Sequence, residues 1–224
     1  MIDVWRYTVF AHLDRLLSGL WVTTQICAIA FTVACLLGLA ACLLRLYVWP
    51  IRPFAIVYIE FCRNTPIYVQ LLWVNYVWPD LFGWPNSFFS AGWMALALQS
   101  SGYLAETFRS GIQSVAQGHV DSARALGMPA GMAFRRIVMP QALITMAPSI
   151  MNQFLILAKS STLVSVIAVE DLMYEALRLT SIWFQPVEIL SFTAFVYIAL
   201  IFSLSMLFKN YIDRVRNKYG LSFN

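Results

Sequence analysis

Between Arg15 and Arg45 the chain carries no charged residue, and leucine, alanine, isoleucine, valine and cysteine fill most of the interval. A stretch of this kind crosses the hydrocarbon layer as a helix, which takes about 20 residues at a rise of about 1.5 Å each. Comparable runs recur, and the composition follows from them: 60% of the 224 residues are hydrophobic and 12% are charged, against about 45–50% and about 25% in water-soluble domains. Five spans are predicted, over residues 19–44, 54–79, 88–112, 141–169 and 188–208. The second starts polar, with Glu60 and Arg63, the third stays apolar until Glu106 and Arg109, and the fourth crosses Pro148 and Lys159. Residues 1–224 then form a single transmembrane domain, an all-α polytopic membrane protein with no sizeable soluble part. Residues 170–187 make one connection, whose Leu172, Met173, Leu177 and Ile182 suggest a short interfacial or re-entrant helix, with an ordinary amphipathic loop as the alternative.

The basic residues set an orientation. With the N-terminus outside, the cytoplasmic side receives Arg45, Arg52, Arg109, Arg124, Arg135 and Arg136, and the tail adds Lys209, Arg214, Arg216 and Lys218. The opposite side receives Asp80, Glu170, Asp171, Glu175 and Glu188, with Arg178 the exception. This N-out, C-in topology satisfies the positive-inside rule, and its inversion violates it. The net charge of +4 is a by-product of those loops; no basic-aromatic patch stands clear of the spans, so nucleic acid is not an expected partner. Asp3, Arg6, Asp14 and Arg15 precede an apolar run too long for the core of a cleaved leader.

Chemistry is scarce. Cys27, Cys35, Cys42 and Cys62 form no CxxC pair, and three of them lie inside one apolar span, where cysteine behaves as a small hydrophobe. His12 and His119 stand alone, and no GxxxxGK[ST] phosphate loop is present. No catalytic residue, metal ligand or bound cofactor is expected in this chain.

One polar interruption separates the apolar stretches. Residues 114–140, SVAQGHVDSARALGMPAGMAFRRIVMP, hold Asp121, Arg124, Arg135 and Arg136 and carry the punctuation of two short helices. Gly127 is placed to end one, and Pro129 to sit in the first turn of the next. Asp121 is expected near the positive N-terminal end of the first helix, where a carboxylate is favoured. Ala123 and Ala125 would keep one surface low for a closely approaching partner. With Asp121, Ser122 and Ala123 followed by Gly127, Ile137, Met139 and Pro140, the segment resembles the EAA loop of ABC importer permeases; Asp for Glu, Ser for Ala and Met for Leu are conservative departures.

The resemblance runs from about residue 16 to 210 and is nearest to the polar amino-acid uptake branch. Glu60 through Leu71 (EFCRNTPIYVQL) is similar to a family segment E-x-x-R-x-T-P-x-x-V-Q-L, and Gly102 through Ile112 (GYLAETFRSGI) to Y-x-A-E-x-x-R-x-G-I. Gln153 through Val166 (QFLILAKSSTLVSV) is similar to an N-Q-then-K-x-[ST]-S-L-V-S-V run, without the Asp that often follows the Lys. The likeness implies a type I importer permease whose coupling helix, around Asp121–Gly127, enters a groove on an ATP-binding subunit. It implies two ATPase subunits, which hold ATP and Mg²⁺, a second permease, identical or paralogous, and an external or periplasmic amino-acid-binding protein. The location implied is the bacterial inner membrane.

Two further groups of residues are singled out by position. Glu60, Arg63, Glu106 and Arg109 fall at the cytoplasmic ends of the second and third spans, and cross-pairing would lock those spans at a gate. Gln99, Ser100 and Ser101 on the third span and Asn152 and Gln153 on the fourth are expected at matching mid-membrane depth, lining a substrate passage or bonding helix to helix. Lys159 either attracts a carboxylate or snorkels to the outer surface. The rival reading of the whole chain is a secondary transporter or channel driven by an ion gradient, which needs an intramembrane carboxylate chain that is not visible.

Overall fold

A computed structural model describes residues 10–218, and every regular element among them is helical. The α-helices are α1 (Leu13–Tyr47), α2 (Arg52–Asn64), α3 (Ile67–Tyr76), α4 (Trp78–Phe82), α5 (Phe88–Gln113), α6 (Gln117–Ala125), α7 (Ala130–Ala133), α8 (Met139–Ser160), α9 (Leu172–Trp183) and α10 (Pro186–Lys218). Short 3₁₀ segments lie at Trp49–Ile51 and Ser161–Ile167, and a π-helical turn at Phe134–Val138 joins α7 to α8. Three helical stretches are long and apolar enough to cross a membrane: Leu13–Tyr47, Ala130–Ile167 and Pro186–Arg214.

Helix α5 is not among those three, and its packing explains why. It is the hub of the bundle, in contact with α1, α2, α3 and α8. A helix sheathed by protein needs small residues more than lipid-facing hydrophobes. Accordingly Ala91, Gly92, Ala95, Ala97, Ser100, Ser101, Gly102 and Ala105 are all buried along it. Gly38 lets α1 approach so closely that an added Cβ would stand 2.9 Å from the Ser101 carbonyl and 3.0 Å from Leu104 Cβ. Gly102 does the same for α2, where a Cβ would stand 2.9 Å from Cys62 Cβ.

The second predicted span is not one helix. Thr65 is extended (φ −81°, ψ 126°) between α2 and α3, because the residue before a proline is pushed out of the α region by the ring. Only after Pro66 does helix resume, and a further short helix, α4, starts at Trp78. The fourth span changes pitch near its end. The hydroxyls of Ser161, Thr162 and Ser165 donate to the carbonyls of Ala158, Lys159 and Thr162 at 2.8–2.9 Å, and such back-bonding competes with the α-helical ladder. The chain tightens there to 3₁₀ over Ser161–Ile167 and ends at Ala168 with φ +61°. Pro148 lies inside α8 without ending it.

The connection after α8 is a helix, α9, capped by the Asp171 side chain, which accepts from Tyr174 N at 2.9 Å. Its buried face, Leu172, Ala176 and Leu179, packs with Leu16 of α1 and Ile189 of α10, while Leu177 and Ile182 stay exposed. Leu172 N donates to Thr23 Oγ1 at 3.1 Å, so the start of α9 is tied to α1.

Candidate functional site

The hairpin of α6 and α7 is built from its turn. Gly127 takes φ +76°, the left-handed region that only glycine adopts at no steric cost. Met128 N then donates to Ala123 O at 3.0 Å and Gly127 N to Arg124 O at 2.9 Å, which satisfies two of the carbonyls orphaned by the helix end. Pro129 stands at the N-cap of α7, one position before its first turn. His119 Nδ1 and Gln141 Oε1 are 2.8 Å apart, a strap from α6 to α8.

Two expectations for this hairpin need correction. Helix α6 starts at Gln117, so Asp121 sits in its middle and the first turn holds no acidic residue. The dipole effect fades within one turn, and Asp121 is instead exposed, accepting from Gln117 Nε2 at 3.2 Å. Ala123 and Ala125 do not share a surface. Ala123 is 1% exposed and packs inward, whereas Ala125 and Ser122 face out. Leu126, which sequence reasoning passed over, is 78% exposed at the hairpin tip. A large apolar residue beside the turn glycine in a polar segment was the available signal. Pro140 occupies the first turn of α8.

The charged residues meet at Glu106. Its carboxylate bonds Arg109 Nε at 2.7 Å on the same helix and pairs with Arg63 Nη1 of α2 at 4.0 Å. It also accepts from Arg45 Nη1 at the end of α1. Glu60 reaches only its own helix, through Arg63 at 3.6 Å and Asn64 at 2.9 Å. One cross-pair thus joins α2 to α5, and the third helix enters through Arg45, which the sequence assigned to orientation alone. Arg63 further lies 5.5 Å over the Tyr103 ring, a cation–π contact.

Beside this cluster a cavity of about 570 Å³ opens between α2, α5 and α8. Arg63, Tyr103, Glu106, Thr107, Arg109 and Ser110 form one wall, and Pro148, Ser149, Asn152, Gln153 and Ile156 of α8 form the other. Gln99, Ser100 and Ser101 are not part of it. Ser100 and Ser101 are buried, and Ser101 Oγ shares a 2.7 Å hydrogen bond with Tyr58 Oη of α2 while donating to Leu98 O. Ser101 thus bonds helix to helix, and Ser100 is packed into the bundle. The two polar clusters therefore lie at different levels, with Asn152 and Gln153 beside Glu106 and not beside Ser100. The depth expectation counted α8 from residue 141 as if the membrane began there, but helix is continuous from the hairpin and places Asn152 lower in the bundle.

A polar edge runs up α8 from that cavity. Thr145, Ser149, Asn152, Ile156 and Lys159 are all exposed and recur at alternating spacings of four and three, which puts them on one helix face. By contrast, α10 exposes a row of large apolar side chains, Phe195, Ile198, Phe202 and Met206.

A bundle of membrane-crossing helices, with a helical hairpin at one end and a polar helix edge leading from it, has the architecture of a transport permease. Residues 24–217 match the family described as binding-protein-dependent transport system inner membrane component, and the chain belongs to it. It is 34% identical to the probable glutamine ABC transporter permease protein GlnM of Bacillus subtilis (strain 168), over 92% of this chain and 95% of that one. It is 31% identical to the arginine transport system permease protein ArtQ of the same organism, over 87% of this chain and 89% of the relative. Among solved structures, an amino acid ABC transporter with histidines superposes with a TM-score of 0.86 at 35% identity, covering 93% of this chain and 97% of the other. The methionine ABC transporter MetNI, in an inward-facing conformation, superposes at 0.79 with 14% identity and shares the fold.

Proposed function

We propose that this chain is the permease subunit of an ATP-driven importer for amino acids. The observation that carries the proposal is the uninterrupted helical rod from Ala130 to Ile167. Its lower end is the hairpin, and its upper part bears the polar edge and one wall of the cavity. Force applied to the hairpin is delivered along that rod to the passage. Two ATPase subunits, each holding ATP and Mg²⁺, dock on the hairpins of two permease chains, with Leu126, Ala125 and Ser122 facing the ATPase. An external binding protein hands the amino acid to the opposite end. In this reading the chain performs no hydrolysis itself, and its orientation is N-out and C-in across five spans.

Binding of ATP draws the two hairpins together and shifts the population of the bundle from inward to outward access. The Glu106 cluster, holding α1, α2 and α5 at the hairpin end, keeps those helices moving as one body against α8. The substrate class is taken from the relatives named for glutamine and arginine, and the polar walls of the cavity suit a zwitterion.

The test is co-expression with candidate ATPase and binding-protein genes of the same organism, reconstitution in proteoliposomes, and uptake of radiolabelled amino acids. Uptake is expected to require internal ATP and to persist when ionophores collapse ion gradients. Loss of uptake with ionophores at saturating ATP supports the ion-driven alternative. Leu126→Asp is expected to cut ATPase co-purification at least tenfold while membrane insertion is unchanged.

A further inference from the structure

Lys159 stands on the exposed polar edge of α8, and contacts above and below it fix its level in the bundle. Below, Asn152 and Gln153 share the cavity with Glu106 of α5. Above, Val164 lies against Gly92 near the other end of α5, 3.5 Å from where a Cβ would be. Lys159 falls between those levels, about 9 Å up the helix from Gln153, so its ammonium group belongs to the interior of the membrane and not to the Glu106 rim. Among the described residues no carboxylate pairs with it.

A cation at such a depth is costly against hydrocarbon, and intramembrane ionisable groups face a bundle interior or a water-filled cavity. Past Ile156 on the same edge, Asn152 and Ser149 are exposed polar groups that hydrocarbon leaves without hydrogen-bond partners. This edge therefore borders the passage. A lone ammonium group on a passage wall, with no counter-ion of its own, is completed by an anion that passes.

We infer that Lys159 is the carboxylate-binding residue of the passage, holding the α-carboxylate of the amino acid midway across. The inference rests on the amino-acid reading above. The carboxylate then moves down the edge past Asn152 and Ser149 toward the Arg63 and Arg109 wall of the cavity. The ammonium of Lys159 discriminates for charge, so an amino acid is preferred over its own α-carboxamide. A lysine that snorkelled to the outer surface would show no such preference.

The experiment uses the purified permease–ATPase complex without the binding protein. A panel of radiolabelled L-amino acids is first screened in wild-type proteoliposomes containing all components, and equilibrium binding to the complex is then measured for the one transported, against its α-carboxamide. Lys159→Gln is expected to weaken binding of the acid at least tenfold and to abolish the preference over the amide, while Lys159→Arg stays within about threefold of wild type. In the wild-type complex, the amino acid but not the amide is expected to shield Lys159 from an aqueous amine-acylating reagent, read by mass spectrometry, which needs no variant to fold. Unchanged acid-over-amide preference in Lys159→Gln overturns the inference. So does a Lys159 that the aqueous reagent never modifies, or one that the amino acid leaves unprotected. If wild-type proteoliposomes take up no amino acid, the functional reading itself fails; wild-type uptake with an indifferent Lys159 removes only this assignment.

Discussion

Glu106 gathers three guanidinium groups, from Arg45, Arg63 and Arg109, while remaining about one-fifth exposed. Partial exposure weakens each pair, yet removing the shared anion leaves three like charges facing one another. Glu106→Gln is expected to lower stability by about 1–3 kcal/mol, seen as a lower midpoint in thermal unfolding of the detergent-solubilised chain. Asp171 is a different kind of acid. It lies between the predicted spans, fully buried, and burial outweighs its hydrogen bonds and pushes its carboxyl up to about 6. An acid whose pKa is raised on folding contributes stability that is present at low pH and lost as pH rises through the folded value. The chain is therefore expected to lose on the order of 2–3 kcal/mol between about pH 4 and pH 7, and Asp171→Asn, which keeps the capping oxygen, to flatten that dependence in unfolding midpoints measured across the same range. Neither Arg45 at the cluster nor Asp171 in its buried cap was legible as such in the sequence. The partner of Arg45 lies on an element far along the chain, and only packing brings the two together.

At the scale of elements, the apolar runs were readable because hydrocarbon imposes a length and an absence of charge. Helix α5 was readable as a long helix despite its lower hydropathy, but its position at the centre of the bundle was not; the small residues that mark it look, in sequence, like weakness. Their purpose emerges at Gly38, where the backbone of α1 comes against the backbone of α5 at Ser101. Gly38→Val is expected to force the helices apart and cost about 1–3 kcal/mol, measured as reduced thermal stability and as faster proteolysis at the α1–α2 connection. The start of α6 was misplaced because Ala116 caps it without any side-chain hydrogen bond, so none of the usual Ser, Thr, Asp or Asn signals announced it. By contrast Gly127 was legible, since a left-handed turn demands that residue. Thr65–Pro66 carried its break openly, as a proline in the middle of a predicted span.

For the whole molecule, the polar edge of α8 matters most. A chain that shows Ser149, Asn152 and Lys159 on one face and Phe195, Ile198 and Phe202 on another is finished only when something polar lies against the first. Recognising that from sequence required knowing where α8 stands in depth, and depth was the quantity that counting residues from a predicted boundary misjudged. Asn152 and Lys159 were legible there; Ser149 on the same face, and Tyr103 and Ser110 across the cavity, were not. The π-helical turn at Phe134–Val138 bears on the same question from below. A π turn takes up one extra residue within a single widened turn, so hairpin and rod keep nearly the angular register of one continuous α-helix. Deleting Arg136 would let the turn close to α pitch and leave the hairpin facing nearly the same way about the axis of α8. Chain insertion, ATPase co-purification and ATP-driven uptake in proteoliposomes are all expected to survive that single-residue deletion. In that sense the turn is a shim: it takes up one residue of chain between hairpin and rod without turning one against the other.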